Sequence, residues 1–144
     1  MLFRSQKYWK NTVLVLVSMQ LGMKSVPSEF YEAIHKTMNL KHCVGAVSGR
    51  PGFAYYFVGT MFSPAEQYSK KLEKKKSRNS YLDTKMIYLD PHCVKSKVQN
   101  LEKEYKKKPQ KFHCDHARIL DMSELDPSIS FGFLLKSYDD FRNL

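Results

Sequence analysis

The stretch Ser-Ile-Ser-Phe-Gly-Phe-Leu-Leu-Lys at residues 128–136 decides the fold of this chain. Its largest apolar side chains take every second position, at Ile129, Phe131, Phe133 and Leu135. Successive side chains of a strand point to opposite faces of a sheet, so these four share one face. The pattern predicts a strand over residues 129–136 with one strongly buried face.

Other strand patterns lie on both sides of a helical pattern, N-terminal to this stretch. Residues 12–22 form a β-branched, continuously apolar run that ends at Gly22, which predicts a strand buried on both faces. Residues 43–48 and 53–60 flank a Gly-Arg-Pro-Gly turn and predict an antiparallel hairpin. Residues 85–90 predict a further strand.

Two segments have helical patterns. In residues 28–40 the side chains of Phe30, Ile34 and Met38 recur every four positions, which predicts an amphipathic helix with Ser28 as its N-cap. Ser137 and Asp140 have the spacing of a capping box and predict a short terminal helix. These segments predict an α+β body of about five strands and two or three helices, occupying residues 1–144 as a single domain.

Length and composition exclude several classes of protein. A chain of 144 residues corresponds to one ordinary domain, since domains run about 100 to 200 residues. Its 42% hydrophobic and 13% aromatic residues exclude wholesale disorder. No apolar run approaches the roughly 18 residues that a membrane-spanning helix needs. Three cysteines without CxxC spacing do not describe a disulfide framework, which predicts a reducing, cytoplasmic location.

The positive charge is concentrated in two segments. Residues 70–78 carry six basic and one acidic side chain, residues 95–111 carry seven and two, and the rest of the chain is neutral. Runs of like charge repel one another and stay hydrated, so we interpret residues 62–83 and 95–111 as polar insertions. A basic nucleic-acid-binding module is the alternative interpretation, and we expect nucleic acid not to be a partner.

Asp90 and His92 carry the most suggestive chemistry. In an extended backbone their side chains point to the same side, with Cys93 on the other. A carboxylate beside an imidazole fixes its tautomer and stabilises the imidazolium, which in turn activates a nearby thiol. Spacing alone leaves Cys43 and Cys114 open as that thiol.

A zinc module is a further alternative. Cysteine and histidine occur together at residues 42–43, 92–93 and 113–116. Structural zinc sites pair their ligands as C-x₂₋₄-C or H-x₃₋₅-H, and the chain contains no such pair. We therefore expect no metal site.

Five pieces of the sequence, in order, resemble the C-terminal portion of the autophagins, the autophagy-related papain-like cysteine peptidases. They cover nearly the whole of residues 13–141. The combination of YLDPH with ELDPSI-x-FGF is the most specific feature. The pieces are LVLVSMQLG (14–22), VSGRPGFAYYFVG (47–59), MIYLDPH (86–92), FHCDH (112–116) and SELDPSISFGFLLKSYDDF (123–141).

The resemblance implies the sheet-rich lobe of a papain-like cysteine protease fold. It further implies cleavage after the C-terminal glycine of ubiquitin-like autophagy modifiers, both to mature the precursor and to release the modifier from phosphatidylethanolamine, without any cofactor. In the family the Asp and His of the Asp-Pro-His motif belong to the catalytic triad. Asp90 would then orient the imidazole, and His92 would act as general base and acid.

The resemblance also assigns a gate over the active-site cleft. In the family a Gly-Gly-Lys/Arg-Pro loop covers the cleft and is displaced by the tail of the substrate. Here that loop reads Ser48-Gly49-Arg50-Pro51. Gly49, Arg50 and Pro51 would form the gate, while a serine replaces the first glycine of the motif.

The nucleophile of the family is not identified in this chain. It belongs to a Gly-Trp-Gly-Cys type motif in an N-terminal lobe, and the chain has one tryptophan, Trp9, outside any such motif. Three explanations remain open, in order of preference. The chain is a fragment of a whole protease, a separate half that assembles with a cysteine-bearing lobe, or a degenerate form that binds the modifier without cutting it.

The expected partners follow from the same resemblance. They are the ubiquitin-like modifier, free or conjugated to phosphatidylethanolamine, and the cysteine-bearing lobe. Peripheral contact with the membrane that carries a lipidated modifier is a hypothesis suggested by the charge of Lys106, Lys107 and Lys108.

Overall fold

The computed structural model describes residues 9–61, 81, 83–92, 97–113 and 116–144. The strands within these ranges are β1 Val13–Gln20, β2 Cys43–Arg50, β3 Phe53–Met61, β4 Lys85–Leu89, β5 Arg118–Asp121 and β6 Ser128–Leu135. They form one antiparallel sheet in the order β1-β6-β2-β3-β4-β5. The helices are α1 Tyr31–Met38, α2 Leu101–Lys107 and α3 Tyr138–Arg142, with 3₁₀ turns at Ser28–Phe30, Pro109–Phe112 and Met122–Glu124. The predicted α+β class with a mainly antiparallel sheet is confirmed.

Strand β6 lies inside the sheet, between β1 and β2. Its four alternating apolar side chains are all buried, which confirms the predicted face. They belong to one apolar core that also contains Ile34 and Met38 of α1, and α1 packs against β2 and β3. The core therefore lies between one face of the sheet and α1.

The prediction that the first strand is buried on both faces was wrong. Among the described residues β1 is an edge strand that pairs only with β6, and Leu16 on its outer face is 64% exposed. A continuous apolar run has the same pattern in a central strand and in an edge strand with two apolar faces, so sequence could not separate them. Val17 and Met19, on the other face, line an apolar groove of about 460 Å³ beside α1.

The first helix begins later than predicted. Ser28 opens a 3₁₀ turn instead of capping α1, whose N-cap residue is Phe30 and has no side-chain hydrogen bond. The predicted stripe is nevertheless confirmed, since Ile34 and Met38 are buried and Phe30 packs at the edge of the core. The position of a stripe depends on helical spacing, which is stronger than the signal of a single cap.

The hairpin is confirmed and is longer than predicted. Strands β2 and β3 pair in register up to Arg50 and Phe53, so only Pro51 and Gly52 form the turn. Gly52 has φ +85°, which a residue with a side chain adopts rarely. The tight turn brings the predicted gate residues to one end of the sheet.

Strand β5 and helix α2 were not predicted. Helix α2 lies within residues 95–111, where Asn100 caps it by accepting the backbone N–H of Lys103. Of residues 62–83 only Tyr81 and Asp83 are described. The terminal helix α3 is confirmed together with its capping box between Ser137 and Asp140. None of the helices in the described ranges is long and apolar enough to cross a membrane.

Candidate active site

Asp90 and His92 meet in a turn at the end of β4. The Asp90 oxygen Oδ1 lies 2.9 Å from ring nitrogen Nδ1 of His92 and also accepts the backbone N–H of His92 at 2.9 Å. An aspartate that accepts the N–H two residues ahead forms an Asx turn. The predicted contact is present, but a turn produces it, because the strand ends at Leu89 and does not continue through Asp90.

The carboxylate is held from two sides. Its second oxygen, Oδ2, lies 2.9 Å from Nη1 of Arg118 at the start of β5. The Asp90 side chain is only 16% exposed, against 47% for His92. Hydrogen bonds from the backbone and then the ring of His92 hold the pKa of the Asp90 carboxyl below its ordinary value, and the charge of Arg118 acts in the same direction. The carboxylate therefore remains ionised near neutral pH.

This geometry fixes the tautomer of His92. An ionised carboxylate only accepts hydrogen bonds, so Nδ1 must carry the proton that points at Asp90. In the neutral imidazole Nε2 then has the lone pair that can take a proton. The pair has the arrangement of a general base with its orienting carboxylate.

Aromatic side chains of β3 form one wall around His92. The centroid of the His92 ring lies 5.6 Å from that of Phe53 and 6.2 Å from that of Tyr55, both with edge-to-face geometry. Tyr88 packs on Tyr55 with the ring centroids 4.3 Å apart and the ring planes tilted by 33°. Because these rings come from the sheet, they restrict the orientation of the imidazole.

The predicted gate lies beside His92. The guanidinium carbon of Arg50 is 4.9 Å from the centroid of the Phe53 ring, the same ring that contacts His92. Gly49 cannot carry a side chain, because a Cβ there would collide with the carbonyl oxygen of Phe53. A cleft of about 510 Å³ lies here, and its lining residues include Gly49, Arg50, Gly52, Phe53, His92 and Asp126.

Two segments are tied together at the base of this cleft. The Ser48 hydroxyl lies 3.1 and 2.8 Å from the carbonyl oxygens of Asp126 and Ser128, and the backbone N–H of Asp126 donates to the carbonyl oxygen of Gly49 at 2.8 Å. The serine that replaces the first glycine of the motif thus joins the hairpin to the Leu-Asp-Pro-Ser segment before β6.

Cys43 lies too far from His92 to react with it. Cys43 begins β2, whereas His92 lies beside the other end of that strand, at Arg50. Seven residues of strand at about 3.3 Å each separate the two ends by about 23 Å. Cys93 and Cys114 lie outside the described residues, and so does the prediction that Cys93 faces away from His92.

Metal-ligating side chains do not converge in the described ranges. No group of three or more His, Cys, Asp or Glu side chains is placed there so that it could hold a metal ion.

The sequence predicted the dyad and the hairpin turn between β2 and β3, but it did not predict Arg118, Phe53 and Tyr55 as neighbours of the dyad. Arg118 meets Asp90 through the pairing of β4 with β5, which joins residues 28 positions apart and gives no local signal. Tyr55 was interpreted as hairpin core, which its burial confirms, but its contact with His92 follows only from the turn after β4.

The chain is similar to cysteine proteases of several animals over most of its own length. It is 28% identical to cysteine protease atg4da of Danio rerio over 136 residues. The aligned region covers 94% of this chain and 23% of that protein. The chain is 29% identical to cysteine protease ATG4B of Xenopus laevis over 94% of this chain and 29% of the relative, and 27% identical to cysteine protease ATG4C of Homo sapiens over 90% and 23%. The chain thus spans less than a third of the length of each of these relatives.

The papain-like assignment follows from the family profile. The Peptidase C54 catalytic domain matches residues 2–144, which include every element described above. The chain belongs to the Peptidase C54 family of cysteine peptidases.

Proposed function

We propose that this chain supplies the histidine and aspartate of a cysteine endopeptidase that cuts ubiquitin-like autophagy modifiers after a C-terminal glycine. The contact of 2.9 Å between Asp90 Oδ1 and His92 Nδ1 carries the proposal, because it leaves Nε2 of the neutral imidazole as the proton acceptor. The names of the relatives, all cysteine proteases, support the same reaction class.

In this mechanism Nε2 of His92 takes the proton of a cysteine thiol, and the thiolate attacks the carbonyl carbon of the modifier's last glycine. The imidazolium then gives its proton to the leaving amine as the C–N bond breaks, which leaves a thioester. Water, deprotonated by His92, hydrolyses the thioester and restores the thiol. Asp90 stays ionised throughout and holds the Nδ1 proton.

The thiol is proposed to come from a cysteine-bearing lobe outside this chain. The distance from Cys43 to the cleft supports this assignment, since Cys43 lies at the far end of β2. Leaving groups in the proposal are the C-terminal extension of the precursor and the amine of phosphatidylethanolamine, and the enzyme acts in the cytoplasm.

The residues of the turn, Gly49, Arg50 and Pro51, are proposed as the gate over the cleft. The cation–π contact of Arg50 with Phe53 supports this role, because Phe53 also contacts His92. A glycine-ended tail entering the cleft would displace Arg50 from Phe53 and so open the approach to the imidazole.

Peripheral membrane contact is the third part of the proposal. Leu101 and Tyr105 are four residues apart on α2 and are 64% and 48% exposed, next to a run of lysines at residues 106–108. Exposed apolar and aromatic side chains beside lysines are the composition of helices that lie at an anionic bilayer surface.

The test uses the native protein, isolated from its own cells with an antibody raised to residues 95–111 and incubated with modifier precursor. We expect cleavage after the glycine, abolished by His92→Ala and retained by His113→Ala, an exposed histidine outside the cleft. Cleavage at an undiminished rate by His92→Ala would overturn the proposal. Tight binding of the mature modifier by a wild-type protein that never cleaves would favour the non-catalytic alternative.

A further inference from the structure

Arg118 contacts the dyad formed by Asp90 and His92. No sequence pattern predicted this contact. Its guanidinium nitrogen Nη1 lies 2.9 Å from Oδ2 of Asp90, while Oδ1 of the same carboxylate takes both hydrogen bonds from His92. The carboxylate is therefore held between a cation on one oxygen and the histidine on the other.

We propose that Arg118 is a positioning residue, which locks the Asp90 carboxylate in the rotamer that fixes the tautomer of His92. The inference rests on the proposed function, because it assigns Arg118 a role through Asp90 and His92. In this role Arg118 acts through the orientation of the Asp90 carboxylate.

The sheet explains why Arg118 can do this. In the register of β4 with β5, Arg118 is the partner of Tyr88, two residues before Asp90. Backbone pairing therefore places Arg118 beside the turn that carries the dyad. An anchor from a paired strand is rigid, whereas the turn itself follows the last residue of β4.

The carboxylate needs this second anchor because a side chain in a turn can rotate. The torsion that turns a carboxylate about its last carbon–carbon bond is broad. A cation on Oδ2, opposite the histidine on Oδ1, narrows the range of that torsion. The low exposure of Asp90, 16% against 48% for Arg118, places the carboxylate inside this contact and the guanidinium at its rim.

Stability does not account for the pair. Ion pairs with an exposed partner contribute little to the free energy of folding. A purely structural Arg118 would therefore be nearly silent when replaced. A positioning Arg118 would instead change the state of the dyad while the fold persists.

The first arm of the test is NMR spectroscopy of the 144-residue chain as wild type, Arg118→Gln, Arg118→Lys and Arg142→Gln. Arg142 is an exposed arginine on α3, which packs on β6, four strands away from β5, and serves as the matched control. Nitrogen shifts of the neutral His92 ring report its tautomer, and the side-chain carbon shift of Asp90 reports its pKa. Backbone spectra show whether each variant folds.

In Arg118→Gln we expect the Nδ1–H tautomer of His92 to lose its dominance and the pKa of Asp90 to rise, with partial rescue in Arg118→Lys and no change in Arg142→Gln. An unchanged tautomer and an unchanged Asp90 pKa in a folded Arg118→Gln chain would overturn the inference.

The second arm is the cleavage assay with the native enzyme. We expect Arg118→Gln to lower kcat by about 10-fold to 100-fold with KM unchanged, since a displacement of about 1 Å in a catalytic group costs rates of that order. If His92→Ala abolishes cleavage while Arg118→Gln keeps the wild-type kcat, only the positioning role is overturned. If His92→Ala cleaves normally, the proposed function is overturned, and the positioning role with it.

Discussion

Ser48 shows how one side chain determines the base of the proposed gate. Its hydroxyl is buried and lies within hydrogen-bond distance of two carbonyl oxygens, those of Asp126 and Ser128. The family motif has glycine at this position, so the contact cannot form where that glycine is kept. The substitution therefore ties the hairpin to the segment before β6, and this favours a stiffer gate.

Replacing Ser48 by alanine should destabilise the chain by about 1 to 2 kcal/mol, because a buried hydrogen bond is lost and its acceptors lose a donor. Urea unfolding followed by circular dichroism measures this difference. Ser123→Ala, at an exposed position of the 3₁₀ turn, is the control and should be within about 0.5 kcal/mol of wild type. Equal stability of the two variants would show that the Ser48 contact contributes nothing.

The sequence located Asp90 and His92 correctly for an incorrect reason. Alternation along an extended strand predicts that residues two apart share a side, but the backbone turns after Leu89 and an Asx turn brings the groups together. An extended strand and an Asx turn would each place the side chains of Asp90 and His92 next to one another. The contact of Arg118 with Asp90 could not be predicted, because a contact across paired strands depends on their register, and a single sequence does not show that register.

The stability of helix α3 depends on pH through Asp140. The Asp140 carboxylate accepts the backbone N–H groups of Lys136 and Ser137, and the Ser137 hydroxyl accepts the N–H of Asp140. The N–H of Lys136 is the largest cause that holds the pKa of Asp140 below its ordinary value, and His42 at 3.8 Å acts in the same direction. The ionised form is therefore the one that caps the helix.

The sign of the pH effect follows from the lowered pKa. The stabilisation by Asp140 is present above the pKa of the unfolded chain, about 3.9, and is lost as the pH falls through the lower pKa of the folded state. Trp9, the chain's one tryptophan, packs on Tyr138 and Phe141 and reports on α3. We expect its emission to move to longer wavelength as the pH falls below about 4.

Asp140→Asn should already show the shifted emission at neutral pH and lose most of the acid transition, whereas Asp139→Asn, an exposed neighbour, should keep the wild-type profile. An acid transition of the same size in Asp140→Asn would assign it to other groups of the molecule.

Elements were predictable where their pattern was long and local. Strand β6, the hairpin and α3 each have alternation, turn residues or a capping box within one short segment. Strand β5 has four residues and α2 has seven, mostly charged, so neither presents a periodic apolar pattern. The exposure of β1 could not be predicted, because edge and centre are properties of the assembled sheet.

At the scale of the whole molecule, the sheet has one covered face and one exposed apolar face. The register places the following exposed side chains on the face opposite the core: Leu14, Leu16, Val47, Tyr56, Leu89 and Ile119. Contiguous apolar surface of this kind is typical of sites of association. The chain spans less than a third of the length of the relatives named above. An exposed apolar face is consistent with the proposal that the chain works together with a further lobe.

The distribution of charge is also a property of the whole molecule. It predicts which segments bind the chain to an anionic bilayer. Because the charge outside residues 70–78 and 95–111 sums to zero, attraction to anionic lipid should depend on these segments. Replacing Lys106, Lys107 and Lys108 by alanine should weaken binding to phosphatidylserine vesicles by about 100-fold, at about 1 kcal/mol for each lysine near the surface. Co-sedimentation with vesicles over a range of salt concentrations measures the effect.

The matched control removes the same charge from exposed positions outside α2, with alanine at Lys10, Lys24 and Lys41. It should bind vesicles nearly as wild type does, because lysines that do not approach the surface lie beyond the screening length of about 8 Å at physiological salt. Equal losses in both triple variants would mean that total charge, and not the α2 surface, governs binding. Unchanged binding after the α2 replacements would eliminate α2 as the membrane contact, and with it this part of the proposed function.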